Sequence, residues 1–170
     1  MQKLKGLTWM EEMEVTKQWV LKHFIELISQ QEIRDSRLAV RFHEEMRQLE
    51  EEFGSPLHLT LSEIHLVACI GDYSPINVTT IAEKTQLTKG SITRISKRLL
   101  ELDLIKRQQI NENKKEVYYS LTAAGQKIHS IHHRIHGKIE QRFLSFLDQY
   151  TPEQLAFARK FMKDLIEWDY

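Results

Sequence analysis

Residues 77–121 read NVTTIAEKTQLTKGSITRISKRLLELDLIKRQQINENKKEVYYSL, and this run decides the fold. Asn77 is a capping residue ahead of a short helix over 78–84, whose Ile81 and Ala82 face inward. Thr85-Gln86-Leu87 forms a turn, and Thr88 caps a longer helix that reaches to about Leu102. Ile92, Ile95, Leu99 and Leu102 recur on that helix at steps of three, four and three, the period of a buried helical face. Two short helices joined by three or four residues form a helix-turn-helix. Residues 104–110 and 117–121 are rich in β-formers and flank the polar tip Asn111-Glu112-Asn113-Lys114-Lys115, which reads as a β-hairpin. A helix-turn-helix followed at once by a basic-tipped hairpin is the order of a winged helix, a combination far more specific than any of its parts.

The flanks read as helix. Trp9, Met10, Met13, Val20, Phe24 and Leu27 form an apolar stripe, and a second helix spans 32 to about 53 with Ile33, Leu38, Phe42, Met46 and Leu49 on one side. Gly54-Ser55-Pro56 stops it. Thr60-Leu61-Ser62-Glu63 has the form of a capping box ahead of Ile64, Leu66, Val67 and Ile70, with Gly71 expected to end that helix and Asp72-Tyr73-Ser74-Pro75 to form a turn. Thr122 caps a long helix to about Gln149. Thr151-Pro152-Glu153 starts a last one whose stripe is Leu155, Phe157, Ala158, Phe161, Met162, Leu165 and Ile166. The expected class is mainly α with a small β-hairpin wing. Residues 1–56 are expected to be N-terminal dimerisation helices, 57–121 the DNA-binding lobe and 122–170 C-terminal dimerisation helices. The terminal stripes exceed what one small winged helix needs, which implies a symmetric homodimer; completion of a larger monomer core is the competing reading.

Composition bounds the function. The chain has 170 residues, 24 basic and 24 acidic side chains, 6 Gly and 3 Pro, which suits one mostly helical domain and excludes collagen-like, low-complexity and disordered classes. Cys69 is the only cysteine, so neither an internal disulfide nor a Cys-rich zinc module is available. No apolar run approaches the roughly 18 residues of a membrane span, and the acidic start lacks a secretory core, so a cytoplasmic protein without a membrane partner is expected. The neutral total hides segregation: residues 1–75 carry 8 basic and 13 acidic groups, 77–115 carry 9 and 4, and 116–170 carry 7 and 7. The basic middle coincides with the winged helix and can attract a polyanion locally.

With Ile92, Ile95 and Leu99 inward, Gly90, Thr93, Arg94 and Lys97 point outward, and Lys89 and Arg98 lie to the sides. A helix fits the major groove of B-DNA, where Arg can donate two hydrogen bonds to guanine and Thr can touch the thymine methyl. Gly90 lets the helix N-terminus approach a phosphate. The candidate contacts to double-stranded DNA are Thr88, Lys89, Gly90, Ser91, Thr93, Arg94, Lys97 and Arg98, with Arg107, Asn113, Lys114 and Lys115 from the wing.

The segments LTLSEIHLVACIG, VTTIAEKTQLTKGSITRISKRLLELDLIKRQQ and NENKKEVYYSLTAAGQKI resemble the MarR family of bacterial transcriptional regulators, over about Leu59 to Ile139. The resemblance implies a triangular homodimer with interlocked terminal helices, two winged helices on a pseudopalindromic operator, and a repressor whose affinity changes when an effector alters lobe spacing. One departure is in the wing: the family often carries Asp-x-Arg there, whereas the tip here is Asn113-Lys114-Lys115. Lysine lacks arginine's planar fork, so phosphate attraction survives while base reading by this wing is weakened.

His129, His132, His133 and His136 fall on one face of the long helix, beside a neighbouring face of Ile128, Ile131, Ile135 and Ile139 that is expected to be buried. His132 and His136 are one turn apart, a spacing at which two imidazoles can hold one metal ion; solvated or pH-responsive histidines are the alternative. His65, His132 and His136 resemble ligands of zinc-responsive members of the MarR family. His43-Glu44 resembles the His-Glu pair of their first helix, allowing a short insertion. The resemblance thus implies Glu44, His65, His132 and His136 as a ligand set for zinc or another divalent metal. An organic effector in the cleft between lobes is the main rival. Cys69, between Ala68 and Ile70, reads as core rather than as a thiol redox sensor. No HExxH, supported Ser/His/Asp set or Gly-rich phosphate loop points to an enzyme.

Overall fold

The computed structural model of the protein describes residues 8–54, 57–109 and 116–168, and of 48, 52 and 53 only the backbone. Two compact units divide the chain, Met1–Glu44 and Glu45–Tyr170.

The first unit holds α1 (Trp9–Ser29) and the opening turns of α2 (Gln31–Phe53). Thr8 caps α1 in a full capping box with Glu11, and Glu11 and Glu12 place negative charge at the positive end of the helix dipole. None of its residues is buried: Trp9, Met10, Trp19, Val20, Leu21, Ile25 and Ile28 all lie open.

The second unit contains the winged helix. α3 (Leu61–Tyr73), β1 (Ile76–Asn77), α4 (Val78–Thr85), α5 (Lys89–Glu101), β2 (Ile105–Gln108), β3 (Tyr118–Leu121), α6 (Ala123–Leu147) and α7 (Pro152–Ile166) follow the end of α2. Four consecutive helices start on the residues expected from sequence: Thr60, Asn77, Thr88 and Thr122 each accept a backbone N–H of the first turn. The strands form one antiparallel sheet in the order β1-β3-β2, with Ile76 opposite Tyr119 and Ile105 opposite Leu121. The hairpin strands were legible in the sequence; the two-residue β1 was too short to show an alternating pattern.

α3 is the centre of the core. Ile64, Leu66, Val67 and Ile70 are fully buried, and α3 packs along α6 and against α4, α5 and β3. The expectation that Gly71 ends α3 is corrected: the helix runs on to Tyr73, and Ser74-Pro75 stops it, since the residue before proline is pushed out of the α region. Gly71 serves a packing role instead, described below. Two expected core positions are also corrected. Leu102 is the C-cap of α5 and Ile139 lies beyond the buried part of α6, and both are exposed, whereas Ile128, Ile131 and Ile135 are buried as expected.

Gly125 sits where α6 begins beneath the turn before β2. A β-carbon there would lie 2.0 Å from the carbonyl oxygen of Leu104, which also accepts the N–H of Thr122 at 3.1 Å. Gly137, in the middle of the same helix, has nothing within 4 Å of such an atom. Gly125→Ala is therefore expected to destabilise by about 2 kcal/mol or more, and Gly137→Ala to stabilise by about 0.5–1 kcal/mol through helix propensity, in chemical denaturation.

α7, capped by Thr151 and Gln154 with Pro152 in its first turn, buries no residue. Phe157, Met162 and Ile166 on it are exposed, as are Phe143, Leu144 and Phe146 near the end of α6. Among the described residues, no helix is long and apolar enough to cross a membrane.

Candidate nucleic-acid interface and histidine centre

α5 carries a sharply two-sided sequence. Ile92, Ile95, Ser96 and Leu99 are buried, while Lys89, Gly90, Thr93, Arg94, Lys97 and Arg98 are exposed and Ser91 is half-buried. The Thr88 hydroxyl accepts the N–H of Ser91 at 3.1 Å, fixing the first turn, and the Thr93 hydroxyl donates to the Lys89 carbonyl at 2.8 Å. Lys97 reaches Glu101 only at 3.9 Å with its side chain 80% exposed, so its charge is available to a polyanion.

Arg98 is placed differently. Its guanidinium lies 3.2 Å from the carboxylate of Glu63 and donates to the His58 carbonyl at 2.6 Å. Glu63 is buried and also accepts the Thr60 N–H at 2.8 Å, so Arg98 neutralises an interior carboxylate that would otherwise be costly. Arg107 is exposed on β2, opposite Tyr119. Asn113, Lys114 and Lys115 lie outside the described residues.

The histidines gather where α3 meets α6. His65 of α3 has its ring centroid 5.5 Å from that of His132 and 6.0 Å from that of His136, which are themselves 4.3 Å apart. Each of the three offers a ring nitrogen, and these atoms lie within 4.8 Å of one another. Burial is the main cause that holds His132 down to about 4, with the neighbouring His136, His65 and His133 adding to it and Asp72 opposing. His136 is lowered by burial first and then by His65 and His133. Both rings are neutral at physiological pH, the state in which imidazole ligates a metal. Glu44, expected from the family resemblance as a fourth ligand, belongs to the first unit and the three histidines to the second. Its neighbour Glu45 bonds Arg134 at 2.7 Å and Lys138 at 3.1 Å on α6.

An unfolded His132 takes up its proton near 6.5, the folded one only near 4, so between those values the unfolded chain holds more protons. Stability therefore falls as pH drops through that window. In chelator-treated protein a loss on the order of 2 kcal/mol is expected between pH 7 and pH 4, measured by denaturation, and His132→Gln should flatten it.

A second set was missed from sequence. Asp72, expected in a turn, lies on the last turn of α3 and accepts from both His129 and His133. Burial acts to raise its carboxyl, but the bonds from His129 and His133 outweigh this and its pKa is lowered. The histidine pair at i,i+4 was visible in the sequence, whereas nothing in it paired them with a residue 57 positions away. Cys69 is buried in α3, and burial, then the Asp72 charge, raises its thiol pKa; that is core behaviour and the reverse of a reactive thiolate. Next to the His65 triad lies a cleft of about 660 Å³, lined by Cys69, Tyr73, Lys84, Leu87 and the triad itself.

The winged helix with its cationic α5 defines a class, the helix-turn-helix transcriptional regulators. Residues 59–117 match the MarR family. The HTH-type transcriptional regulator YhjH of Bacillus subtilis is 47% identical over 151 residues, 89% of this chain and 86% of that protein. Among solved structures, the zinc-responsive MarR family member ZitR of Lactococcus lactis aligns with a TM-score of 0.61 at 24% identity, over 66% of this chain and 78% of that one. FabT of Streptococcus pneumoniae, solved in complex with DNA, aligns with 0.64 at 19% identity, over 89% and 95%. The chain belongs to the MarR family of transcriptional regulators and is a DNA-binding protein, not an enzyme.

Proposed function

We propose that the protein is a cytoplasmic repressor that binds a pseudopalindromic operator as a homodimer and is controlled by zinc or another divalent metal. The observation that carries metal control is the convergence of His65, His132 and His136 from two helices. Three imidazole nitrogens, two of them from rings that burial keeps neutral, suit a borderline-soft divalent ion, so the residues present fit zinc. A bound ion would supply coordinate bonds joining α3 to α6.

In this reading Arg94 donates to a guanine edge, Lys97, Lys89 and the Gly90 backbone meet phosphates, Thr88, Ser91 and Thr93 line the same approach, and Arg107 with the 113–115 tip serves the flanking groove. Arg98 contributes through the free part of its guanidinium while holding Glu63. α3 lies against α5, and α6 leads toward the exposed apolar end of the second unit. Fixing His65 relative to His132 and His136 thus favours one setting of the DNA-binding lobe, and the operator responds by as much as the metal distinguishes the two settings. A second copy of the chain is the proposed cover for the exposed apolar side chains of α1, α7 and the end of α6, among them Trp9, Trp19, Phe143, Phe157 and Ile166.

A small organic effector is the second reading, supported by the 660 Å³ cleft beside the triad. Operator selection from random duplex with and without chelator, paired with metal analysis and mass measurement, separates the two. Metal control predicts a dimer that selects a palindrome only in one metal state. Identical selection in both states contradicts it and leaves the cleft as the effector site.

A further inference from the structure

One turn along α6 from the histidine centre, a second donor set converges that the reading above does not use. The Asp72 Oδ1 atom lies 2.8 Å from His129 Nε2 and 2.8 Å from His133 Nε2, and the two nitrogens are 3.1 Å apart. A tetrahedral ion with bonds of about 2.0–2.1 Å spaces its donors roughly 3.3 Å apart, so each edge of this triangle need open by only a few tenths of an ångström. The seat of the triangle is built into the backbone. A β-carbon at Gly71 would fall 2.2 Å from the His129 ring, so only glycine lets that ring lie against α3 beside Asp72. The rim is open, since Asp72 and His133 are exposed and His129 is half-buried.

We propose that Asp72, His129 and His133 form a separate binding site for a divalent first-row transition cation. Two imidazoles and one carboxylate select zinc, cobalt, nickel or iron over magnesium and calcium, which prefer all-oxygen sites. With three protein donors and an exposed rim, the remaining positions are filled by water, and the ion exchanges readily. The site shares no ligand with His65, His132 and His136, and does not rest on metal control of DNA binding. It holds the last turn of α3 to the middle of α6, two segments 57 residues apart in sequence.

The same triangle can also be held by protons alone, two imidazole N–H groups donating to one carboxylate oxygen, and ion counting separates the two. Equilibrium dialysis of the full-length chain against zinc(II), and separately cobalt(II), gives the number of ions bound per chain. His132→Gln/His136→Gln protein is expected to retain one equivalent, and adding His133→Ala should remove it. His133→Ala or Asp72→Asn alone should lose one equivalent relative to the parent. His133 is exposed, so its removal leaves the fold intact by circular dichroism. A folded His132→Gln/His136→Gln protein that binds no ion, or a His133→Ala protein that binds as many as the parent, overturns the site. One ion lost on His133→Ala in a protein whose operator affinity ignores zinc upholds this site while the metal-control reading fails.

Discussion

Arg94→Ala is expected to lower operator affinity by about 10- to 100-fold and to relax the preference at a single base pair, because a bidentate arginine–guanine contact discriminates by roughly 1–3 kcal/mol. Binding of the variant to a panel of single-base operator changes measures both effects. Nothing in the fold suffers, since Arg94 is exposed on the outer face of α5. Arg98→Ala provides the contrast. It leaves the buried Glu63 carboxylate without its guanidinium and is expected to lower Tm, whatever it does to DNA. An Arg94→Ala protein that binds every operator as the parent does would remove this face from DNA recognition.

Replacing His132 and His136 together with glutamine is expected to erase the difference between operator affinities measured with zinc and with chelator. Couplings of this kind amount to about 1–3 kcal/mol, or roughly 5- to 150-fold, and the ratio should collapse to one. The two rings are neighbours, 4.3 Å apart, and neither is needed to fill the Ile128–Ile131–Ile135 face of α6, so the variant should fold. A double variant with the parent's response to zinc contradicts the role of this triad.

The winged helix was readable in advance because its signals are local. Thr60, Asn77, Thr88 and Thr122 each cap through a residue three positions on, and the step pattern of Ile92, Ile95 and Leu99 is fixed by helix geometry alone. What escaped depends on distance in the chain. Gly71 reads as a helix stop until the ring of His129 arrives against it, and Asp72 reads as part of a turn until α6 brings two histidines to its oxygen. Arg98 reads as a cation at the side of the outward row until Glu63, buried by its own capping box, claims it. His65, His132 and His136 were paired through family resemblance. The sequence itself contained only the i,i+4 spacing on α6, and the third ring comes from a helix more than sixty residues earlier.

In the proposed complex the outer face of α5 meets the phosphate backbone and the major groove of duplex DNA. Fluorescence anisotropy of a labelled duplex, titrated with protein at a series of salt concentrations, tests it most directly. Log affinity is expected to fall steeply and linearly with log salt, with a slope that Lys97→Ala makes shallower by about one. A flat salt dependence, or a slope that Lys97→Ala does not change, would contradict it.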